Sequence, residues 1–296
     1  MTKYQYYKID KPYKTIYYFL KNSGFSENYI TNLRKVLGNI KVNDEEVTIR
    51  HSLNIGDMLA INSNPNNKTT IMQCIIPLDI VYEDKYYLLI NKPSGLPCMP
   101  SRSHYTCNLA GAICYYMDGK EPDFTLRIVN RLDKDTAGIV IVAKDSISQK
   151  EIKNIKKTYY ALCEGAIDSD LVVDKKIKTI SYGKLNINKR EVSDDGKDAT
   201  TYVHPIKSFI LKNNSNKTQV TLVKINLIHG RTHQIRVHLS SIGHPLLGDE
   251  LYGSKSPFIN HTALVCKEVS IFHPYENKTL FFSVPLPEDI EKLLQN

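Results

Sequence analysis

The chain has 296 residues, of which 42% are hydrophobic and 24% are charged, as is usual for a water-soluble globular protein. This length suits one large domain and one small domain with ample interior to bury. No apolar run is long enough to span a membrane, and the N-terminal residues lack the apolar segment of a signal peptide. The net charge of +8 favours a polyanionic partner, because each phosphate that a basic side chain neutralises releases counterions.

The six cysteines include no Cys-x-x-Cys pair and no tight cluster. This spacing argues against a zinc knuckle or a disulfide framework, and it favours reduced thiols in a cytoplasmic protein. We expect the chain to act as a monomer.

The N-terminal region reads as a small α+β unit. Helical spacing of apolar residues predicts a helix that begins near Ile16 and ends at Gly24. Ser26 then caps a second helix, which places Leu37 on its apolar face and ends at Gly38. Short strands are predicted around 41–42 and 58–61.

This order of elements, with V-N-x-x-x-V and L-x-x-G-D-x-L after the helices, resembles the small RNA-binding domain of ribosomal protein S-four. The resemblance implies that the second helix faces RNA, so Arg34, Lys35 and Lys41 become candidate phosphate contacts. The alternative is that these side chains only form a solvated face. The predicted division is a small RNA-binding domain at 1–62, a linker at 63–74 and a larger catalytic domain at 75–296.

The larger domain begins with two predicted strands, at 80–82 and 87–90, and a helix at 108–117. A later polar segment, Asn130-Arg131-Leu132-Asp133, leads through Gly138 into the apolar run Ile139–Ala143. Four β-branched residues followed by alanine predict a buried strand, so the polar segment is a loop delivered to a strand end. Taken alone, this loop could be a turn in which Asp133 bonds its own backbone.

Beyond that strand, 146–157 is predicted as a helix whose Lys150, Lys153 and Lys157 form a basic stripe. A strand carrying Tyr159 follows. The Lys- and Asn-rich stretch 168–218 has weak strand patterns and predicts long loops, and closing strands are expected towards the C-terminus.

A second polar motif runs from His229 through Arg231, His233 and Arg236 to His238. It continues to a Gly-Asp pair at 248–249 and a Tyr-Gly pair at 252–253. Three histidines suggest a metal site and a metal-dependent hydrolase. However, the H-E-x-x-H carboxylate is missing and two guanidinium groups would repel a cation, so we predict no metal here.

Together the motifs N-K-P-x-G-L, R-L-D, K-x-Y-x-A and G-R-T-H-Q-I-R-V-H-L resemble those of the RluA-type pseudouridine synthases, which isomerise uridine in RNA. The resemblance implies a long, mostly antiparallel mixed sheet with flanking helices and a central cleft. It makes Asp133 the catalytic residue, with Arg236 paired to it and Tyr159 beside it. It also implies substrate or RNA contacts, which fall on Asn91, Lys92, Arg231 and Ile235. Departures from the family pattern occur at Met99, Asn130 and Ala137.

The isomerisation gains and loses no atom, so we expect no cofactor and no metal. The target base must be extruded from folded RNA, which costs a few kcal/mol, and Arg131 is our choice to fill the vacated gap. Ribosomal RNA is the expected partner, with transfer RNA as the second possibility. The rival interpretation is an RNA-binding or ribosome-assembly factor that has kept the fold without the activity.

Overall fold

The computed structural model describes residues 3–65, 71–101, 105–121, 124–182, 187–213, 216–253 and 255–295. Within these ranges the strands form a four-stranded sheet, a ten-stranded sheet and a separate two-stranded hairpin. The α+β class is therefore confirmed.

The N-terminal unit packs two helices on the four-stranded sheet. Thr15 and Ser26 cap the helices, each accepting a backbone N–H with its side-chain oxygen. The elements are β1 (Tyr4–Lys8), α1 (Ile16–Asn22), α2 (Glu27–Leu33), β2 (Ile40–Val42), β3 (Glu45–Glu46) and β4 (Met58–Asn62). The order of strands in the sheet is β1-β4-β2-β3.

The second helix is shorter than predicted. It ends at Leu33 instead of continuing to Gly38, and Leu37 is 75% exposed instead of facing the core. The side-chain amide of the buried Asn39 donates to the carbonyls of Asn32 and Leu33. Those carbonyls are the ones that a further helical turn would have used, so the helix stops there.

The ten-stranded sheet forms the large domain. Its strands are β5 (Ile80–Glu83), β6 (Tyr87–Lys92), β7 (Arg127–Ile128), β8 (Ala137–Ala143), β9 (Lys153–Glu164), β10 (Leu171–Asp174), β13 (Thr200–Asn213), β14 (Asn216–Leu227), β15 (Leu264–His273) and β16 (Lys278–Ser283). The strand order is β10-β13-β14-β9-β15-β8-β6-β5, with β7 attached to β8 and β16 attached to β15. The described pairings are antiparallel except for β15 with β8. The hairpin is β11 (Ile177–Tyr182) with β12 (Ile187–Val192), and the helices are α3 (Leu109–Met117), α4 (Ser146–Glu151), α5 (Gln234–Ser240) and α6 (Glu288–Gln295).

Strand β8 lies inside this sheet, and all seven of its residues are buried, as the apolar run predicted. Gly138 is required at its start. Its φ is +108°, and a Cβ atom there would lie 2.3 Å from the carbonyl oxygen of Cys266 on β15. The close approach of two backbones therefore sets where the polar loop before β8 is held.

The predicted helix over 146–157 is wrong in its second half. Helix α4 ends at Glu151, and β9 begins at Lys153, which pairs with Phe272 of β15. Pairing with a core strand outweighs weak helical spacing, so Lys150, Lys153 and Lys157 form no helical stripe. Lys150 instead lies over the ring of Phe25, 4.3 Å from its centroid.

The long loops predicted for 168–218 are also wrong. This stretch holds β10, β11, β12, all of β13 and the start of β14, and β13 pairs with β14 as a long antiparallel ladder. On β13, Lys207 and Lys212 are exposed. Helix α6, near the end of the chain, was not predicted either.

Residues just after β4 do not form an exposed tether. Ser63 and Asn64 are buried, and they bond the start of α4 and the end of β8 through Ser146 N and Lys144 O. Ile147 of α4 joins the apolar core of the N-terminal unit. The two units therefore share a packed junction, and the proposed linker range beyond it stays a prediction. In the described residues no helix is long and apolar enough to cross a membrane.

Candidate active site

The loop that carries Asp133 is fixed through its backbone. Asn130 is buried, donates to the carbonyl of Ile139 at 3.1 Å and accepts from the N–H of Ile141 at 2.7 Å. Ser94 Oγ donates to the carbonyl of Asp135 at 2.8 Å. The carboxylate of Asp133 lies on this loop at the cleft.

Lys92 performs a structural task in this loop. Its side chain is fully buried, and its ammonium donates to the carbonyls of Pro93, Leu96 and Lys134 at 2.8–2.9 Å. Burial lowers the pKa of Lys92 to about 8. The predicted direct RNA contact of Lys92 is therefore corrected, because its ammonium is enclosed by protein.

Asn91 also lies away from the cleft. Neighbouring residues of a strand point to opposite faces, so Asn91 faces away from Lys92 and donates to Asp79 at 2.8 Å. It lines a separate groove together with Pro285 and Leu286. The predicted substrate contact of Asn91 therefore does not fit the structure.

The cleft itself is open to solvent, with a cavity volume of about 70 Å³, and it brings the motifs together. Its lining includes the three residues predicted to be catalytic and three of the predicted substrate contacts: Asp133, Tyr159, Arg236, Arg131, Arg231 and Ile235. Arg131 and Arg231 are exposed at its rim, whereas Tyr159 and Ile235 are buried in its wall. The placement thus matches the predicted grouping, while the roles remain proposals.

Arg236 approaches Asp133 but is anchored elsewhere. Its Nε and Nη2 atoms each donate to the fully buried Asp249 at 2.7 Å, and its Nη1 lies 3.7 Å from Asp133 Oδ2. Burial acts to lower the pKa of Arg236, but the bonds and charge of Asp249 outweigh it and the pKa is raised. Arg236 therefore presents a fixed positive charge to Asp133. The sequence reasoning missed Asp249, although the G-D pair that contains it was noted.

His233 is a second neighbour of Asp133 that the sequence reasoning did not place there. Its Nε2 lies 3.8 Å from Asp133 Oδ2, and its Nδ1 lies 2.9 Å from the hydroxyl of Tyr252. Burial lowers the pKa of His233. The charge of Asp133 acts to raise this pKa, and the charges of Arg236 and Arg190 act to lower it. The ring is therefore neutral near pH 7. The backbone at His233 has φ +58°, a left-handed conformation immediately before α5.

Tyr159 keeps its proton. Burial, followed by the neighbouring Cys266, raises the pKa of Tyr159 well above its ordinary value. The residue thus offers a neutral phenol and an aromatic face to the cleft.

The predicted N-terminal contacts lie on the surface. Arg34 and Lys35 are exposed just after α2; the guanidinium of Arg34 lies 5.4 Å from the ring centre of Tyr17, and Lys35 donates to Asn32 at 2.8 Å. Lys41 is partly exposed near the ring of Tyr4. Nothing in this arrangement blocks contact with a phosphate.

Among the described residues, the group with metal-ligand spacing is Asp84, His273 and Glu276, which lies outside the cleft lining. Asp84 Oδ2 lies 2.7 Å from His273 Nε2, and Glu276 N–H donates to His273 Nδ1 at 3.1 Å. Each ring nitrogen already has a protein partner, so this group is a structural network.

Residues 86–241 match the family model described as RNA pseudouridylate synthase. The chain belongs to this family. The matched stretch contains every side chain that lines the cleft except Leu264.

Relatives of this synthase extend over most of its length. An uncharacterised RNA pseudouridine synthase of Bacillus subtilis is 35% identical, covering 92% of this chain and 95% of its own. A ribosomal large subunit pseudouridine synthase D of Nitrosomonas europaea is also 35% identical, covering 74% of this chain and 65% of its own. The structure of human RNA pseudouridylate synthase domain containing 1 has the same fold, with a TM-score of 0.55 and 22% identity, covering 76% of this chain and 96% of that one.

Proposed function

We propose that this RNA pseudouridine synthase isomerises specific uridines of large-subunit ribosomal RNA, with Asp133 as the catalytic residue. Relatives named ribosomal large subunit pseudouridine synthase D support the choice of RNA. The observation that carries the catalytic assignment is geometric. Asp133 lies on a loop at the cleft, and the guanidinium of Arg236 lies 3.7 Å from its carboxylate. The buried Asp249 holds that guanidinium in place.

The reaction breaks the bond between the sugar and a base nitrogen, turns the base and joins the sugar to a base carbon. A carboxylate at that bond either attacks covalently or stabilises charge while a proton leaves the sugar. The fixed guanidinium of Arg236 lies 3.7 Å from the Asp133 carboxylate, where it can hold that carboxylate towards the substrate. The aromatic face of Tyr159 supports stacking of the extruded base.

Base extrusion requires compensation for the stacking that is given up. Arg131 is exposed at the rim, two residues from Asp133, where a side chain can enter the RNA helix. Replacement of Arg131 by alanine is expected to lower the rate of modification of folded RNA more than that of an unstructured fragment, because only folded RNA has a base pair to open. Equal rates for the wild type and this variant on folded RNA would exclude this role.

The N-terminal unit is proposed to add RNA affinity through Arg34, Lys35 and Lys41, with the chain acting as a cytoplasmic monomer. If these side chains neutralise phosphates, replacing Arg34 and Lys35 by glutamine should reduce the slope of log K against log salt by about 0.9 for each phosphate that is no longer neutralised. An unchanged slope would identify them as a solvated surface.

The test of the function is pseudouridine mapping in ribosomal and transfer RNA from cells that lack the protein. Complementation with the wild type, but not with Asp133→Asn, is expected to restore one or a few sites in large-subunit ribosomal RNA. If the restored pseudouridine sites lay only in transfer RNA, the substrate would be transfer RNA instead of ribosomal RNA. Restoration of every site by Asp133→Asn would remove Asp133 from the mechanism.

A further inference from the structure

The β11–β12 hairpin reaches the chamber beside the catalytic cleft through Arg190. Residues alternate between the two faces of a strand. Val192, on the same face as Arg190, packs against a buried cluster that contains Val237 of α5, and Tyr252 packs against the same cluster. Lys178 lies across from Glu191 on the other face and forms ion pairs with Glu191 and Asp195. One face of the hairpin is therefore turned towards the catalytic helix, and the other towards solvent.

A row of polar contacts leads from this hairpin to the catalytic carboxylate. The backbone N–H of Arg190 donates to the hydroxyl of Tyr252 at 2.9 Å. Because the phenol oxygen accepts there, its own proton is available to His233 Nδ1, which lies 2.9 Å away. The neutral ring then carries its proton on Nε2, 3.8 Å from Asp133 Oδ2.

The guanidinium of Arg190 lies near this row, close enough for its charge to act on His233 and Tyr252. Its Nη1 is buried and has no hydrogen-bond partner within the described part of the chain. A buried charged donor without an acceptor costs free energy, so the position favours an anion as its missing partner.

The chamber beside it is strongly cationic. Its lining includes Arg190, four further basic side chains and a single carboxylate, that of Asp133; the four are Arg131, Lys134, Lys157 and Arg231. This outer chamber shares Asp133 and the two rim arginines with the catalytic cleft. An RNA strand that delivers a base to Asp133 therefore brings its backbone phosphates to this chamber.

We propose that Arg190 binds an RNA phosphate in the outer chamber and that this contact positions Asp133 through Tyr252 and His233. The inference rests on the proposed function, and it adds a phosphate-binding residue and two positioning residues to it. The bound phosphate fixes the hairpin, the backbone N–H of Arg190 fixes the phenol of Tyr252, and the phenol fixes the ring that lies against the carboxylate. The row already exists without RNA, and the bound phosphate holds it more firmly against the catalytic group.

The first experiment measures RNA affinity across a series of potassium chloride concentrations. The probe is a transcript of the large-subunit ribosomal RNA region that contains the mapped uridine. Arg190→Gln is expected to weaken binding about tenfold at moderate salt and to reduce the salt slope by about 0.9, the value for one phosphate contact. The matched control is Lys178→Gln, which removes a cation from the opposite face and should leave the slope unchanged. Equal slopes for the two variants would overturn the phosphate site.

The second experiment measures single-turnover rates at saturating RNA. Tyr252→Phe removes one hydroxyl and should lower this rate about tenfold while leaving RNA affinity and salt slope at the wild-type level. Arg190→Gln should also lower the rate in the wild-type background but have no further effect when combined with Tyr252→Phe, because the hydroxyl that transmits the effect is then already absent. Independent, multiplicative effects of the two changes would overturn the transmission.

Folding and function are separated by two controls. Thermal unfolding identifies any variant that is simply destabilised, and Arg190→Lys, which keeps the charge without the fork of donors, should lie between wild type and Arg190→Gln in affinity. If the wild type forms no pseudouridine on any transcript, the proposed function fails. If the wild type is active and Arg190→Gln matches it in slope and rate, only this inference fails.

Discussion

Arg236 and Asp249 form the tightest ion pair at the site, with two bonds of 2.7 Å between buried side chains. The contact between Arg236 and Asp133 is longer, at 3.7 Å. Asp249 also accepts the backbone N–H groups of Leu251 and Tyr252. The arginine is therefore held in place by the buried Asp249, and Asp133 is left without a short ion pair to it.

Asp249→Asn should damage both stability and activity. It removes the negative charge opposite a buried guanidinium, and breaking such a pair costs about 3 kcal/mol or more in the free energy of unfolding. The freed Arg236 should then pair with Asp133, and the single-turnover rate should fall more than tenfold. The control is Glu250→Gln, which changes the exposed neighbouring residue. Its free energy of unfolding in urea should stay within about 0.5 kcal/mol of wild type, and its single-turnover rate should stay at the wild-type level. An Asp249→Asn protein with wild-type stability and rate would refute the anchoring role.

Gly138→Ala tests the close backbone approach that seats the catalytic loop. The new Cβ atom would overlap the carbonyl of Cys266 at 2.3 Å, so β8 and β15 must separate and the unfolding free energy should drop by about 3 kcal/mol. Gly95→Ala is the matched control: its φ of +80° is also left-handed, but no atom lies within 4 Å of the added Cβ. Its cost should be about 1 kcal/mol, from backbone strain alone. Equal losses of unfolding free energy in the two variants would show that β15 moves aside easily for the added Cβ atom.

Lys92→Met tests whether this lysine supports the loop from within. Three carbonyls lose their donor, so the unfolding free energy should fall by about 2 kcal/mol, and the rate should fall as the loop around Lys134 loosens. Lys134→Met changes an exposed side chain of that loop and should leave stability unchanged within about 0.5 kcal/mol.

The same lysine gives a signature in pH. The pKa of Lys92 is about 8 in the folded protein because of burial, and about 10.4 in an unfolded chain. Between these values the unfolded state holds a proton that the folded state has released, so wild-type stability should rise with pH relative to Lys92→Met. The difference in unfolding free energy between wild type and Lys92→Met should grow by at most about 1.4 kcal/mol per pH unit, and it should be constant below pH ~7. A difference independent of pH from 7 to 9.5 would place the ammonium in contact with water.

Motif-based reasoning succeeded where local pattern and tertiary context agree. The apolar run after Asp133 could only be a buried strand, and the spacing around Tyr159 and Arg236 located two side chains that the fold brings to one cleft. It failed where a residue faces inward or pairs at a distance. Lys92 looks like a surface cation in sequence, and only the fold reveals the three carbonyls around it.

Strand pairing accounts for the other failures. The stretch from Lys153 onward has neutral local preference, and its partner β15 lies more than 100 residues away, so helical spacing misled the prediction. Asp249 and Tyr252 were visible only as a G-D and a Y-G pair. Their contacts with Arg236 and His233 depend on how the chain turns back after α5.

The most direct test of the central claim follows the hydrogen that isomerisation displaces from the base carbon. Purified wild type and Asp133→Asn are mixed in excess with target RNA labelled with tritium at that carbon, and RNA binding is measured in parallel. The wild type should release tritium within a single turnover, while Asp133→Asn should bind the RNA with similar affinity and release none above background. Tritium release by Asp133→Asn at the wild-type rate would contradict the account, because the chemistry would then proceed without the carboxylate.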